Sequence, residues 1–169
     1  LPIGKFFGVG KVTKKRFLDL GIKNGADLKK ISRLDLQKLF GKNGNYYYDI
    51  AHGIDERIVN PHRVRKSIGR ERTFKEDIVE KEKIEETLLV ISEKLSDYLI
   101  TYNQKIMTVT LKIKYFDFKS ITRSITTHDF IFKAEDIFSN VHELIQKTEL
   151  GKKAVRLAGI SLSNIDSNI

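Results

Sequence analysis

Cysteine is absent from the 169-residue sequence, which excludes disulfides and thiolate metal sites and sets the expectation of a reducing, cytoplasmic compartment. No signal-peptide pattern and no run of 18 apolar residues occurs, so no membrane span is expected. HExxH, CxxC and a Walker lysine loop are missing as well. His52, His62, His128 and His142 fall on different predicted elements without ligand-like spacing. Acid pairs such as Glu76-Asp77, Glu85-Glu86 and Glu135-Asp136 sit at predicted helix starts or on solvated faces, and nothing marks them as a two-metal site. With no catalytic constellation left, the sequence reads as a binding module. It also starts at Leu1-Pro2 without an initiator methionine, which points to a piece of something longer.

What the sequence does have is positive charge, unevenly placed. The net charge is +9. Residues 1–60 hold 12 Lys/Arg against 6 Asp/Glu, and residues 61–66 add Arg63, Arg65 and Lys66. Residues 67–169 balance at 16 of each sign, yet they are polarised. Between Glu76 and Asp97 stand 8 acids and 3 lysines, whereas residues 105–123 carry 5 bases and 1 acid. Acid on a covering helix and base on an open sheet face steer a polyanion to one side only.

The basic stretch 105–128 is patterned. Val109, Leu111, Ile113 and Tyr115 alternate with Thr110, Lys112 and Lys114, the period of a half-buried strand. After a break at Asp117-Phe118, a second β-branched run follows over 120–127, so the pair predicts an antiparallel hairpin with helices on its apolar face. Its outer face shows lysines, an arginine and hydroxyls, as a nucleic-acid surface does; an ordinary solvated sheet face has the same alternation. Thr122 and Ser124 fall on the polar parity and suit phosphate contacts. Arg123 shares the parity of Ile121 and Ile125, so the strand is bulged there or its head escapes at the sheet's end.

In chain order, a helical turn near Lys5–Phe7, a tight Gly8-Val9-Gly10 turn and a helix from about Val12 to Leu20, with Val12, Phe17 and Leu20 apolar, make a helix-hairpin-helix pattern. Glycines let a backbone approach a phosphate, and amides opening the second helix point at it. Lys11, Thr13, Lys14 and Lys15 add charge and a hydroxyl, although Gly8 and Gly10 also serve simply to turn between packed helices. Short helices are predicted over 26–31 and, with Ser32 as N-cap and Asp35 three residues on, over 33–40. Gly41–Gly44 reads as a turn and Tyr46–Ala51 as a last helix, with at least one of Tyr46, Tyr47 and Tyr48 exposed. Residues 59–66 lack a helical period, contain a proline and place three bases in four positions, which marks a basic linker between a first domain, 1–58, and a second, 67–169, with Arg63, Arg65 and Lys66 expected to lie against a polyanion such as DNA.

The second domain opens with a strand over 67–74 that has Ile68, Arg70, Arg72 and Phe74 on one parity, so it must twist, bulge or sit at an edge. Lys81 to Thr101 carries a stripe of Ile84, Leu88, Ile91, Leu95 and Leu99, the pattern of a long amphipathic helix. A second amphipathic helix is predicted from Ala134 to Leu150, stopped by Gly151. The last strand, 154–164, changes parity between Leu157 and Ile160, which predicts a bulge near Gly159. The fold class is therefore two domains: an all-α helix-hairpin-helix domain, then an α+β domain of order β-α-β-β-α-β, a four-stranded antiparallel sheet with two helices on one face.

Leu1-Pro-Ile-Gly4, Gly8-Val-Gly-Lys11, Leu20-Gly-Ile22 and the run from Phe40-Gly-Lys to Gly53-Ile-Asp-Glu-Arg57 resemble the thumb of Y-family translesion DNA polymerases, in particular the bacterial DNA polymerase IV branch. Lys66-Ser-Ile-Gly-Arg-Glu-Arg-Thr-Phe74, Val109–Phe118, Thr122-Arg-Ser124 and Val155–Ile160 resemble that family's little finger. The resemblance covers essentially the whole chain. It implies a thumb and a little finger that grip primer-template duplex from opposite sides; because phosphate contacts position the protein without reading bases, little sequence preference is expected. Gly8, Val9, Gly10 and Lys11 would then hold a phosphate, and Arg70, Arg72, Lys112, Lys114, Thr122, Arg123 and Ser124 would be the little-finger contacts. It also implies that the metal-binding carboxylates lie in palm and fingers domains absent from this stretch. No nucleotide transfer and no cofactor are then expected of the chain itself, with Mg2+ needed only by the full-length polymerase. Partners implied are duplex or primer-template DNA and a sliding clamp, with the protein a monomer and no membrane involved. A stand-alone DNA-binding protein and a protein-interaction module are the alternatives, and the latter is separated by its weak salt dependence.

Overall fold

Glycines shape the first fifty residues. In the computed structural model, which describes residues 1–166, Gly8 has φ +78° and turns the chain from a single 3-10 turn at Ile3–Lys5 into helix α1, Lys11–Asp19. Helix α2, Gly25–Lys29, is capped by Asn24, whose side chain accepts from the Ala26 and Asp27 amides. Helix α3, Arg33–Phe40, begins as predicted at Ser32, whose Oγ accepts from the Asp35 amide at 3.1 Å.

Helix α4, Lys42–Ala51, starts earlier than the sequence suggests, because Gly44 is a packing residue and not part of a turn. A Cβ on Gly44 would lie 2.2 Å from the Leu36 carbonyl oxygen, so glycine lets α4 close onto α3. That approach brings Phe17, Phe40 and Tyr47 into ring contact at centroid separations of 4.5 to 5.4 Å. Val12 is 85% and Leu20 44% exposed, contrary to the apolar face expected of α1; Phe17 alone carries that helix into the core. None of the three adjacent tyrosines is fully exposed either, since Tyr47 is buried while Tyr46 and Tyr48 are half-buried.

The chain divides into two compact units, Leu1–Pro61 and His62–Ile169. The second contains β1 (Ser67–Ile78), α5 (Lys81–Thr101), β2 (Lys105–Tyr115), β3 (Ser120–Ile131), α6 (Ala134–Ile145) and β4 (Val155–Asp166). The strands form one antiparallel sheet in the order β1-β4-β2-β3, so β1 and β3 are edges. The predicted stripe of α5 is buried along its whole length, against Ile137, Val141 and Leu144 of α6 and the inward residues of β2 and β4. Burial of this kind, at roughly 25 cal/mol per Å² of apolar surface, is what holds a sheet and two helices in one layer pair. No helix among the described residues is long and apolar enough to cross a membrane.

Two boundaries move for local reasons. Helix α6 ends at Ile145 and not at Leu150, because the Ile145 carbonyl accepts from both the amide and the hydroxyl of Thr148. Leu150 then folds back into the core, and the buried Tyr115 hydroxyl accepts from the Glu149 amide at 3.0 Å. The bulge of β4 lies at Arg156 and not at Gly159: Tyr115 faces Val155 while Lys114 faces Leu157, so the extra residue is Arg156. Gly159 sits in unbroken register.

Candidate nucleic-acid interface

The face of the sheet away from α5 and α6 is a lattice of small polar residues. Residues directly opposite one another in an antiparallel pair lie on the same face. The register therefore assembles four rows across the strands in the order β1, β4, β2, β3. They are Ser67-Ser163-Thr108-Thr126, Gly69-Ser161-Thr110-Ser124, Glu71-Gly159-Lys112-Thr122 and Thr73-Leu157-Lys114-Ser120. Hydroxyls pair across the strands, Thr108 with Thr126 and Thr110 with Ser124, each at 2.9 Å. Lys112 and Lys114 are the two cations in these rows, Glu71 the one acid and Leu157 the one large apolar side chain. Such a face offers a polyanion hydrogen-bond donors spread over four strands.

Thr122 and Ser124 thus stand beside Lys112 and Lys114. The arginines do not. Arg123 pairs with the buried Leu111, and its Nε donates to the Lys147 carbonyl beyond the end of α6 at 3.1 Å. Its head escapes around the edge strand to close a helix end. Arg70 and Arg72 pair with Ile160 and Ala158 and so point to the helix side, where β1 is an edge and both reach solvent. Inward-parity charges of this kind also protect a sheet edge from pairing with another chain. Arg65 lies over the Tyr98 ring of α5 and donates to its hydroxyl at 3.0 Å, again on the helix side. Arg63 and Lys66 are exposed.

In the first unit, the predicted hairpin residues are brought together. Val9 is buried and anchors the turn, while the Tyr46 hydroxyl donates to the Phe7 carbonyl at 3.1 Å and pins it from below. Gly10 is the N-cap of α1 and supplies no side-chain acceptor, so the amides that open the helix at Lys11, Val12 and Thr13 have no intrahelical partner. Lys11, Lys14 and Lys15 are exposed around them and Thr13 is half-buried. A helix start without a side-chain cap and ringed by lysines favours an anion there.

Several residues that matter here had no sequence signal of their own. Glu71 reaches Lys112 at 2.8 Å. At the β2–β3 turn, Phe118 is 60% exposed, with the Lys114 ammonium 4.9 Å and the Arg156 guanidinium 4.6 Å from its ring centre. Lys153 donates to Asp117 at 2.9 Å and holds its carboxyl below the ordinary carboxylate range, an effect the Lys119 amide reinforces. Among the described residues no group of three or more His, Cys, Asp or Glu side chains is placed to hold a metal ion.

Comparison with known proteins places this architecture in a class. The structure superposes with a TM-score of 0.76 on a solved chain titled "Y-family DNA polymerase chimera Dbh-Dpo4(243-245)-Dbh", at 22% identity, over 99% of this chain and 48% of that one. The fold is thus that of a Y-family polymerase's thumb and little finger. Residues 65–168 match the impB/mucB/samB family C-terminal domain, and residues 5–55 match the DNA polymerase-iota thumb domain. The chain belongs to the impB/mucB/samB family of Y-family DNA polymerases. It is 47% identical over 169 residues to "DNA polymerase IV" of Clostridium perfringens (strain 13 / Type A), covering 100% of this chain and 47% of that protein. It is 41% identical over 166 residues to "DNA polymerase IV" of Clostridioides difficile (strain 630), covering 98% of this chain and 46% of that protein. The chain therefore spans about half the length of the curated relatives it matches, at 46–47% of each.

Proposed function

We propose that the chain grips duplex or primer-template DNA through its phosphates, as the non-catalytic part of an error-prone translesion DNA polymerase that serves replication past DNA damage. The observation that carries this reading is the hydroxyl lattice of the open sheet face, with Lys112 and Lys114 in its last two rows. Hydroxyls and lysines there meet a backbone without reading bases, so contacts position the duplex and do not select sequence. The uncapped start of α1 with Lys11 and Lys15 supplies a second phosphate site. On this reading Leu1–Pro61 is the thumb and His62–Ile169 holds the basic linker's end and the little finger. Nucleotide transfer and its Mg2+ belong to carboxylates outside these residues. A sliding clamp is the second partner, and the protein acts as a monomer in the cytoplasm.

Fluorescence anisotropy with a labelled duplex tests the proposal. Affinity on the order of 1–100 µM at physiological salt is expected, falling steeply as salt rises. Three unrelated duplexes should bind alike, and more tightly than a loose single strand. A preference of about tenfold for one duplex, or an affinity indifferent to salt, contradicts the proposal.

A further inference from the structure

One contact on the open face joins strands that are not neighbours. β4 lies between β1 and β2, yet Lys112 Nζ of β2 donates to both carboxylate oxygens of Glu71 on β1, at 2.8 and 3.1 Å. Register explains how. Lys112, Gly159 and Glu71 stand opposite one another across the three strands, and the middle position has no side chain. A Cβ on Gly159 would come within 2.6 Å of Glu71 Cγ, so the glycine leaves the lane in which the glutamate crosses β4.

We propose that Glu71 is a release residue, a built-in competitor that holds Lys112 when no phosphate is present and weakens the protein's grip when one is. The inference rests on the DNA-gripping reading given above. A phosphate that hydrogen-bonds Lys112 comes within about 6 Å of the Glu71 carboxylate, close enough for like charges to repel measurably. Lys112 must then leave its partner or share itself. Folding does not account for the pair: its side chains are 38% and 44% exposed, and ion pairs so exposed contribute little to stability. The sequence also bridges over a whole strand to place an acid on the one face that otherwise suits a polyanion. An acid there keeps the duplex loosely enough held to shift along the face.

Glu71→Gln keeps the side chain's size and removes its charge. It is expected to tighten duplex binding by about fivefold at low salt and to steepen the slope of log affinity against log salt by about one phosphate contact, with the gain shrinking as salt rises. Glu71→Ala should change affinity in the same direction. In a Lys112→Ala background, Glu71→Gln should still tighten binding, because the carboxylate then faces the duplex unpaired. If Glu71→Gln binds as the parent chain does, or more weakly, the glutamate positions the lysine and the proposal is overturned. If the parent chain itself shows no salt-dependent duplex binding, the DNA reading falls first. Thermal unfolding of both variants, expected to stay within about 4 °C of the parent, separates a binding effect from a folding one.

Discussion

Replacing Gly44 by alanine sets two effects of opposite sign against each other. In a helix interior the change ordinarily stabilises by about 1 kcal/mol, because alanine loses less backbone entropy on folding. Here the new methyl would stand 2.2 Å from the Leu36 carbonyl oxygen, 2.3 Å from its carbon and 2.5 Å from the Gln37 nitrogen. These are backbone atoms of α3 and cannot swing away. Relief requires α4 to retreat by roughly 1 Å, which loosens Tyr47 from Phe17 and Phe40, now 5.1 and 5.4 Å away. Forcing a methyl into such packing costs about 1–3 kcal/mol, and each aromatic pair disturbed about 0.5–1.5 more. The net expectation is a loss of about 2–4 kcal/mol, from a unit whose whole stability is on the order of 3–9 kcal/mol. Thermal unfolding followed by near-UV circular dichroism of the tyrosines should show the first unit's transition about 10–25 °C lower, while the sheet unit keeps its own. A transition that rises instead would mean that the helices are not in contact at Gly44, and the reasoning fails.

Other outcomes follow from particular contacts. Tyr115→Phe takes the hydroxyl partner from the half-buried Glu149 amide and should cost about 1 kcal/mol in urea unfolding; unchanged stability contradicts the bond. The Asp55 carboxyl is lowered to about 2 from 3.8, first by its side-chain bond to Arg57 and then by the Arg57 amide. Because the folded value is depressed, its favourable contribution is complete above pH 3.8 and disappears as pH falls through about 2. A carboxyl-carbon NMR titration checks this, and a midpoint near 3.8 refutes it. Arg123→Ala removes a bond to the Lys147 carbonyl on the helix side, so duplex affinity should stay within about twofold of the parent. A loss as large as that of a phosphate-binding lysine would place Arg123 on the wrong face.

How much of this was legible in the sequence depended on how local the cause was. The α5 stripe, the Ser32 cap and the alternation of β2 were readable because each depends on residues a few positions apart. The order of elements and the openness of one sheet face followed from them. Gly44 misled because a glycine that admits a neighbouring helix looks, in sequence, like one that makes a turn. The β4 bulge had to exist from the parity change, but its position at Arg156 is set by the pairing of Val155 with Tyr115 and of Leu157 with Lys114, on a strand distant in the chain. Lys112, Lys114, Thr122 and Ser124 were correctly grouped on one face by period two alone. Arg70, Arg72 and Arg123 already stood on the inward parity in the sequence, but only the edge position of their strands shows how an inward-parity arginine reaches water. Glu71 stayed hidden because its partner lies two strands away, across a glycine.

The most direct test of the central claim compares duplex affinity of the parent chain with that of a Lys112→Ala, Lys114→Ala double variant across a salt series. If the open sheet face is the DNA surface, the double variant should bind about tenfold more weakly or worse, with a salt slope shallower by about two phosphate contacts. If it binds as the parent does, with the same slope, the sheet is not the grip.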